Sequence, residues 1–181
     1  MSPPSIVSFE GKAPVIHPTA FIAPGCCIIG DVEIGANASI WYNCVLRGDV
    51  NPIRIGVGTN IQEGTVIHCD GPKPGRPGFP TLIGREVLVG HMALIHGTTL
   101  HDHCFVGLGS VAMDGCEIES GAMLAAGALL TPGKNIRSGQ LWAGRPAKFM
   151  RDLTSAEEIG NKMAVAHYQA LASRHREALC A

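Results

Sequence analysis

Apolar residues recur along this chain at intervals of six. Ile16, Ile22, Ile28, Ile34, Ile40 and Leu46 keep one phase, and three extra residues near Pro52 reset it to Ile55, Ile61 and Ile67. After an interruption the phase resumes at Ile83, Val89 and Ile95. It then loses one residue and runs through Leu100, Val106, Ala112, Ile118, Leu124, Leu130, Ile136 and Trp142. Helical faces repeat near 3.6 residues and strand faces at 2. A period of six instead fits a short strand followed by a tight corner, three such units closing a triangular coil. Stacked in parallel, the coils lie roughly 4.8 Å apart.

Two further slots carry the same phase. Three positions after the aliphatic residue the chain favours Gly, Asn or Asp, as at Asp31, Asn37, Asn43, Asp49, Gly58, Gly64, Gly109, Gly115, Gly121 and Gly127. These residues tolerate left-handed backbone, so the slot reads as the corner. Four positions after it small residues dominate, among them Cys26, Ala38, Cys44, Thr65, Ala93, Cys104, Ser110 and Cys116. Cysteines in this slot read as small, inward-packed hydrophobes. The pattern resembles the hexapeptide-repeat left-handed β-helix, and the handedness comes from that resemblance.

The hexads stop after Pro146. Thr154-Ser155-Ala156-Glu157 reads as a capping box. It opens a helix expected from about 155 to 179, with Ile159, Met163, Ala166, Ala170 and Leu171 as its apolar stripe. Asp70 to Pro80 is a Pro/Gly loop bulging from a corner. The expected organisation is an all-β solenoid: an N-terminal cap over 1–15, the β-helix over 16–149, and a C-terminal segment over 150–181 whose α-helix packs on the β-helix.

Composition narrows the function. Fourteen Lys and Arg against fifteen Asp and Glu leave a net charge of -1, with no basic stripe for nucleic acid or an anionic membrane surface. No apolar run is long enough to cross a bilayer. The N-terminus carries neither a basic start nor an apolar core of a secretory signal. With 7 cysteines, an odd number, reduced thiols in the cytoplasm are expected.

The register then acts on the histidines. Leu46, Ile67 and Ile95 share one face in three successive coils, so the next residues, Arg47, His68 and His96, form a column on its outer surface. His68 and His96 fall one coil apart, which lets two imidazoles converge on one ion at about 2.0–2.1 Å each. His91 lies on the preceding face near its corner and points away from this column. It can complete a three-histidine site only for a neighbouring chain, and three prisms about one axis would close such a ring. His101 and His103 lie in a surface turn, and His17, His167 and His175 read as ordinary.

These residues resemble the γ-class carbonic anhydrases and the γ-carbonic-anhydrase-like proteins around them. Leu46-Arg47-Gly48-Asp49 is similar to the family's Arg-x-Asp segment. Asn60-Ile61-Gln62-Glu63 is similar to its Asn-x-Gln-Asp/Glu segment, and His68, His91 and His96 match its metal ligands. The resemblance implies a homotrimer that hydrates CO2 to bicarbonate at a Zn centre, with Fe(II) or Co as alternatives. Arg47 and Asp49 would form a salt bridge at the subunit contact. Gln62 would hydrogen-bond the metal's water, Asn60 would order substrate or water, and Tyr168 would lean in from the C-terminal helix. Active members carry a glutamate just after the Arg-x-Asp segment and another in an acidic loop. Here Val50 holds the first position and the 70–80 loop carries Lys73 and Arg76, so weak turnover is expected. A hexapeptide-type thioesterase or acyltransferase is a second reading, and a non-catalytic metal-binding or assembly module a third.

Overall fold

A computed structural model describes residues 2–180. The hexads form a left-handed parallel β-helix with three sheet faces. On the first face Ile16, Ile34, Ile55, Ile83, Leu100, Ile118 and Ile136 stack in register. The second stacks Ile22, Ile40, Ile61, Val89, Val106, Leu124 and Trp142. The third stacks Ile6, Ile28, Leu46, Ile67, Ile95, Ala112 and Leu130. Away from the two ends these side chains are buried and fill the prism. Fully burying each larger aliphatic stabilises the fold by about 1.5–3 kcal/mol.

The corner slot takes left-handed backbone at Asn37, Asn43, Gly58, Gly64, Gly109 and Gly115. It does so also at Glu86, Met92 and His103, which the preference for Gly, Asn or Asp did not mark. Asp31 and Asp49 are exceptions. The chain passes them inside the continuous strands Cys27–Ile34 and Val45–Ile55, and Gly30 takes the positive φ of 74° instead. A Cβ on Gly30 would lie 2.5 Å from the Gly48 carbonyl oxygen, so this corner is closed by backbone packing. Asp49 therefore has no corner role, and its side chain is free for other contacts.

The first described strand, Ser5–Val7, already pairs with Cys27–Ile29 on the third face. At the other end Ala147–Asp152 turns back antiparallel on Gln140–Gly144. The helix α1 (Ser155–Cys180) follows. Its capping box forms as expected: Thr154 N donates to Glu157 Oε2 at 2.9 Å and Glu157 N to Thr154 Oγ1 at 3.3 Å.

The face that α1 buries is not the expected one. Val165 and Ala172 are buried, Tyr168 and Leu171 half-buried, and Ile159 and Met163 are 58% and 67% exposed. The surface below it is studded with Trp41 and Phe21, whose rings lie 5.5 Å apart. A stripe that offers a small residue such as Ala172 lets the helix approach such a surface. Tyr168 stacks edge-on to Trp41 at 5.6 Å, and Tyr42 Oη pairs with His175 Nδ1 at 2.8 Å.

Candidate metal centre

The third face presents the histidine column. Strands Val66–His68 and Leu94–His96 pair in parallel with His68 directly opposite His96. Inward Ile67 and Ile95 are fully buried, which turns the next residue of each strand outward. His68 Nδ1 and His96 Nε2 face each other at 3.1 Å. The far side of each ring meets a carboxylate. Asp49 Oδ1 lies 2.9 Å from His68 Nε2, and Asp114 Oδ1 lies 2.5 Å from His96 Nδ1.

Asp49 is itself held by Arg47, whose Nη1 donates to Oδ2 at 2.5 Å. Both partners of this pair belong to the same chain. Arg47 and Asp49 lie two residues apart in the strand Val45–Ile55, so alternation turns both side chains to the same side. Burial works to raise the Asp49 pKa, but the His68 and Arg47 hydrogen bonds outweigh it and hold the carboxyl below its usual range. An ionised carboxylate only accepts hydrogen bonds, so Asp49 requires a proton on His68 Nε2.

The donor set fits a divalent metal. Two nitrogens on one tetrahedral ion sit about 3.3 Å apart, close to the 3.1 Å observed. With protons held on the carboxylate sides, neutral rings turn two lone pairs toward each other, an arrangement that a cation between them relieves. Among the described residues of one chain, no three His, Cys, Asp or Glu side chains gather as a metal-binding group.

His91 is elsewhere. It precedes the corner at Met92 (φ 58°), and its Nδ1 lies 2.6 Å from Glu63 Oε2. With Glu63 on Nδ1, Nε2 is the ring nitrogen of His91 left for another partner. Its backbone N–H donates to Gln62 Oε1 at 3.2 Å. Gln62 is buried at 4% exposure, and the bond leaves its amide N–H groups as the donors it can offer. Asn60 is fully buried; its Nδ2 donates to Ser39 Oγ at 2.8 Å, while its Oδ1 has no partner among the described residues. Tyr168 is half-buried, and burial together with the Glu63 charge pushes its phenol up.

Around the histidine pair, Asn51 Nδ2 ties the 70–80 loop to the bulge through the Asp70 and Pro77 carbonyls. Asp70 pairs with Lys73 and Arg76. Cys69, next to His68, is buried with its thiol pushed up. His101 and His103 pair with Glu117 and Glu86 on the surface. Sequence reasoning missed Glu63 and Asp114 as partners of the histidines, although Glu63 was open to the register: Ile61 opposes Val89, so Glu63 opposes His91.

The family model described as bacterial transferase hexapeptide (six repeats) matches residues 13–48. Gamma carbonic anhydrase 2, mitochondrial, of Arabidopsis thaliana is 48% identical over 94% of this chain, which spans 62% of that relative's length. Carnitine operon protein CaiE of Proteus sp. is 35% identical over 97% of this chain and 86% of its own. The crystal structure of a hexapeptide transferase family protein from Anaplasma phagocytophilum is 49% identical. It superposes with a TM-score of 0.87, covering 93% of this chain and 96% of its own.

Proposed function

The chain belongs to the γ-carbonic-anhydrase-like hexapeptide-repeat family, and from that premise we propose that it is a metal-dependent carbonic anhydrase. A homotrimer would complete its site, with His68 and His96 from one subunit and His91 from the next. The observation that carries this reading is the pair of opposed imidazole nitrogens at 3.1 Å, each ring backed by a carboxylate. Apolar exposure supports the assembly. Val66 and Leu94, both 40% exposed, flank the histidine pair, and Met92 and Leu108, 70% and 49% exposed, flank His91. Such patches favour a protein contact.

A divalent ion held there, Zn or alternatively Fe(II) or Co, supplies Lewis acidity that brings the pKa of water to about 7. The overall reaction adds water to CO2 and releases bicarbonate and one proton. Asp49 and Glu63 orient His68 and His91, and Arg47 fixes Asp49. Gln62 offers amide N–H groups to an oxygen of substrate or product. The 7 cysteines of the chain are all free, in keeping with a reducing compartment.

The test is stopped-flow CO2 hydration by protein loaded with Zn or Fe(II), beside hydrolysis of a simple acyl thioester. Metal-dependent hydration that disappears in His68→Ala supports the proposal. Thioester cleavage without hydration transfers the site to the acyl chemistry suggested by the transferase-named structure. Neither activity, with metal bound, leaves a metal-binding or assembly module.

A further inference from the structure

We infer that Asp114 is a positioning residue that sets the tautomer of His96 and so keeps the histidine pair open for a metal. The inference rests on the metal reading above. Asp114 lies on the coil after His96, in the turn that follows Val111–Ala112. Its Oδ1 stands 2.5 Å from His96 Nδ1, so a carboxylate there requires the ring proton on Nδ1 and leaves Nε2 bare.

Loss of Asp114 permits another state. A neutral His96 would then be free to carry its proton on Nε2, 3.1 Å from His68 Nδ1. The two rings would hydrogen-bond directly, and the two nitrogens aimed at the ion would be consumed by each other. Asp49 cannot prevent this, because it fixes only the far side of His68. Asp114 therefore excludes a competing arrangement as well as orienting a ligand, the work that a carboxylate behind a metal-bound histidine performs.

A second observation is independent of the hydrogen bond. Gly97 follows His96 with φ 54°, and a Cβ there would lie 2.6 Å from Asp114 Oδ1 and 2.9 Å from Phe79 Cβ. The lack of a side chain at 97 gives the carboxylate its path to the ring. Asp114 is a third exposed and outside the core, so its substitution leaves the prism's packing intact.

The experiment uses the full-length protein labelled with 15N-histidine, first metal-free and then titrated with Zn against a chromophoric chelator. In long-range 1H–15N spectra the wild type is expected to show His96 as the Nδ1–H tautomer, and Asp114→Ala to convert it to Nε2–H. Zn affinity should fall by roughly 10–100-fold in Asp114→Ala. Asp114→Glu, which keeps an acceptor, should recover part of it. A wild-type His96 already protonated on Nε2, or an Asp114→Ala protein with unchanged tautomer and Zn affinity, overturns the inference. If the tautomer changes as expected but even the wild type takes up no Zn, the metal reading fails while the hold of Asp114 on the ring stands.

Discussion

Glu63 stands directly across one coil from His91, with Oε2 2.6 Å from Nδ1. The pairing of Ile61 with Val89 puts them opposite each other, although the inserted 70–80 loop separates them by 28 positions in sequence. On the proposed trimeric reading, a histidine that serves a neighbouring chain is oriented by its own. Glu63→Ala is expected to weaken Zn binding by roughly 10–100-fold while leaving the monomer's fold unchanged. Chelator competition checks the first expectation and circular dichroism the second.

The proposed sharing of the site between subunits makes a complementation prediction. His68→Ala and His91→Ala should each abolish metal binding in a homotrimer. Mixed and reassembled, the two variants should regain it. A subunit with intact His68 and His96 then meets a neighbour with intact His91 at some interfaces. Metal content after gel filtration measures this. No recovery in properly mixed trimers would mean that the ligands come from a single chain.

The prism was readable because a period of six leaves little freedom: one inward aliphatic per hexad fixes which neighbours face out. That places His68 opposite His96 from the sequence alone, and it sets His91 apart. Asp114 escaped notice because it belongs to the next coil and lies one residue past the register partner of His96, so it reaches the ring from beyond the corner. The helix face was misread because α1 offers two apolar stripes. The choice between them rests on the shape of the Trp41–Phe21 surface, which the helix's own sequence does not contain.

Ile67 supports the site from inside. It is fully buried between Leu46 and Ile95, and it fixes the outward direction of His68. Ile67→Ala should cost about 2–5 kcal/mol, read from the urea midpoint. It should also weaken Zn binding through loss of ring position.

The helix cap gives a pH-dependent prediction. Arg151 and Thr154 hold the Glu157 carboxyl well below its usual range. A depressed folded pKa stabilises the fold above the unfolded value, about 4.3, and the contribution fades as pH falls toward the folded value. The Tm difference between wild type and Glu157→Gln should therefore be present at neutral pH and shrink below about pH 4.3. Thr154→Ala should cost about 1 kcal/mol, checked by urea denaturation at neutral pH.

The last prediction concerns rate. Hydration releases one proton per turnover, and fast catalysis needs a titratable group near the site to carry it away. The nearby carboxylates are occupied. Glu63 is bonded to His91, Asp49 to Arg47 and His68, Asp114 to His96, and Asp70 to Lys73 and Arg76. Tyr168 has its phenol pushed up by burial and by the Glu63 charge, away from neutral pH. Val50, 44% exposed beside the 70–80 loop, cannot titrate. The metal-loaded protein, if the carbonic anhydrase proposal holds, should thus be slow in weak buffer and accelerate with added imidazole, an external proton carrier. Val50→Glu should raise kcat several-fold in weak buffer and lose that advantage as imidazole is added. Stopped-flow traces with a pH indicator measure both effects. A wild-type rate that is already high and insensitive to imidazole would locate a proton path among groups other than these, whereas no hydration at any imidazole concentration would remove the carbonic anhydrase reading itself.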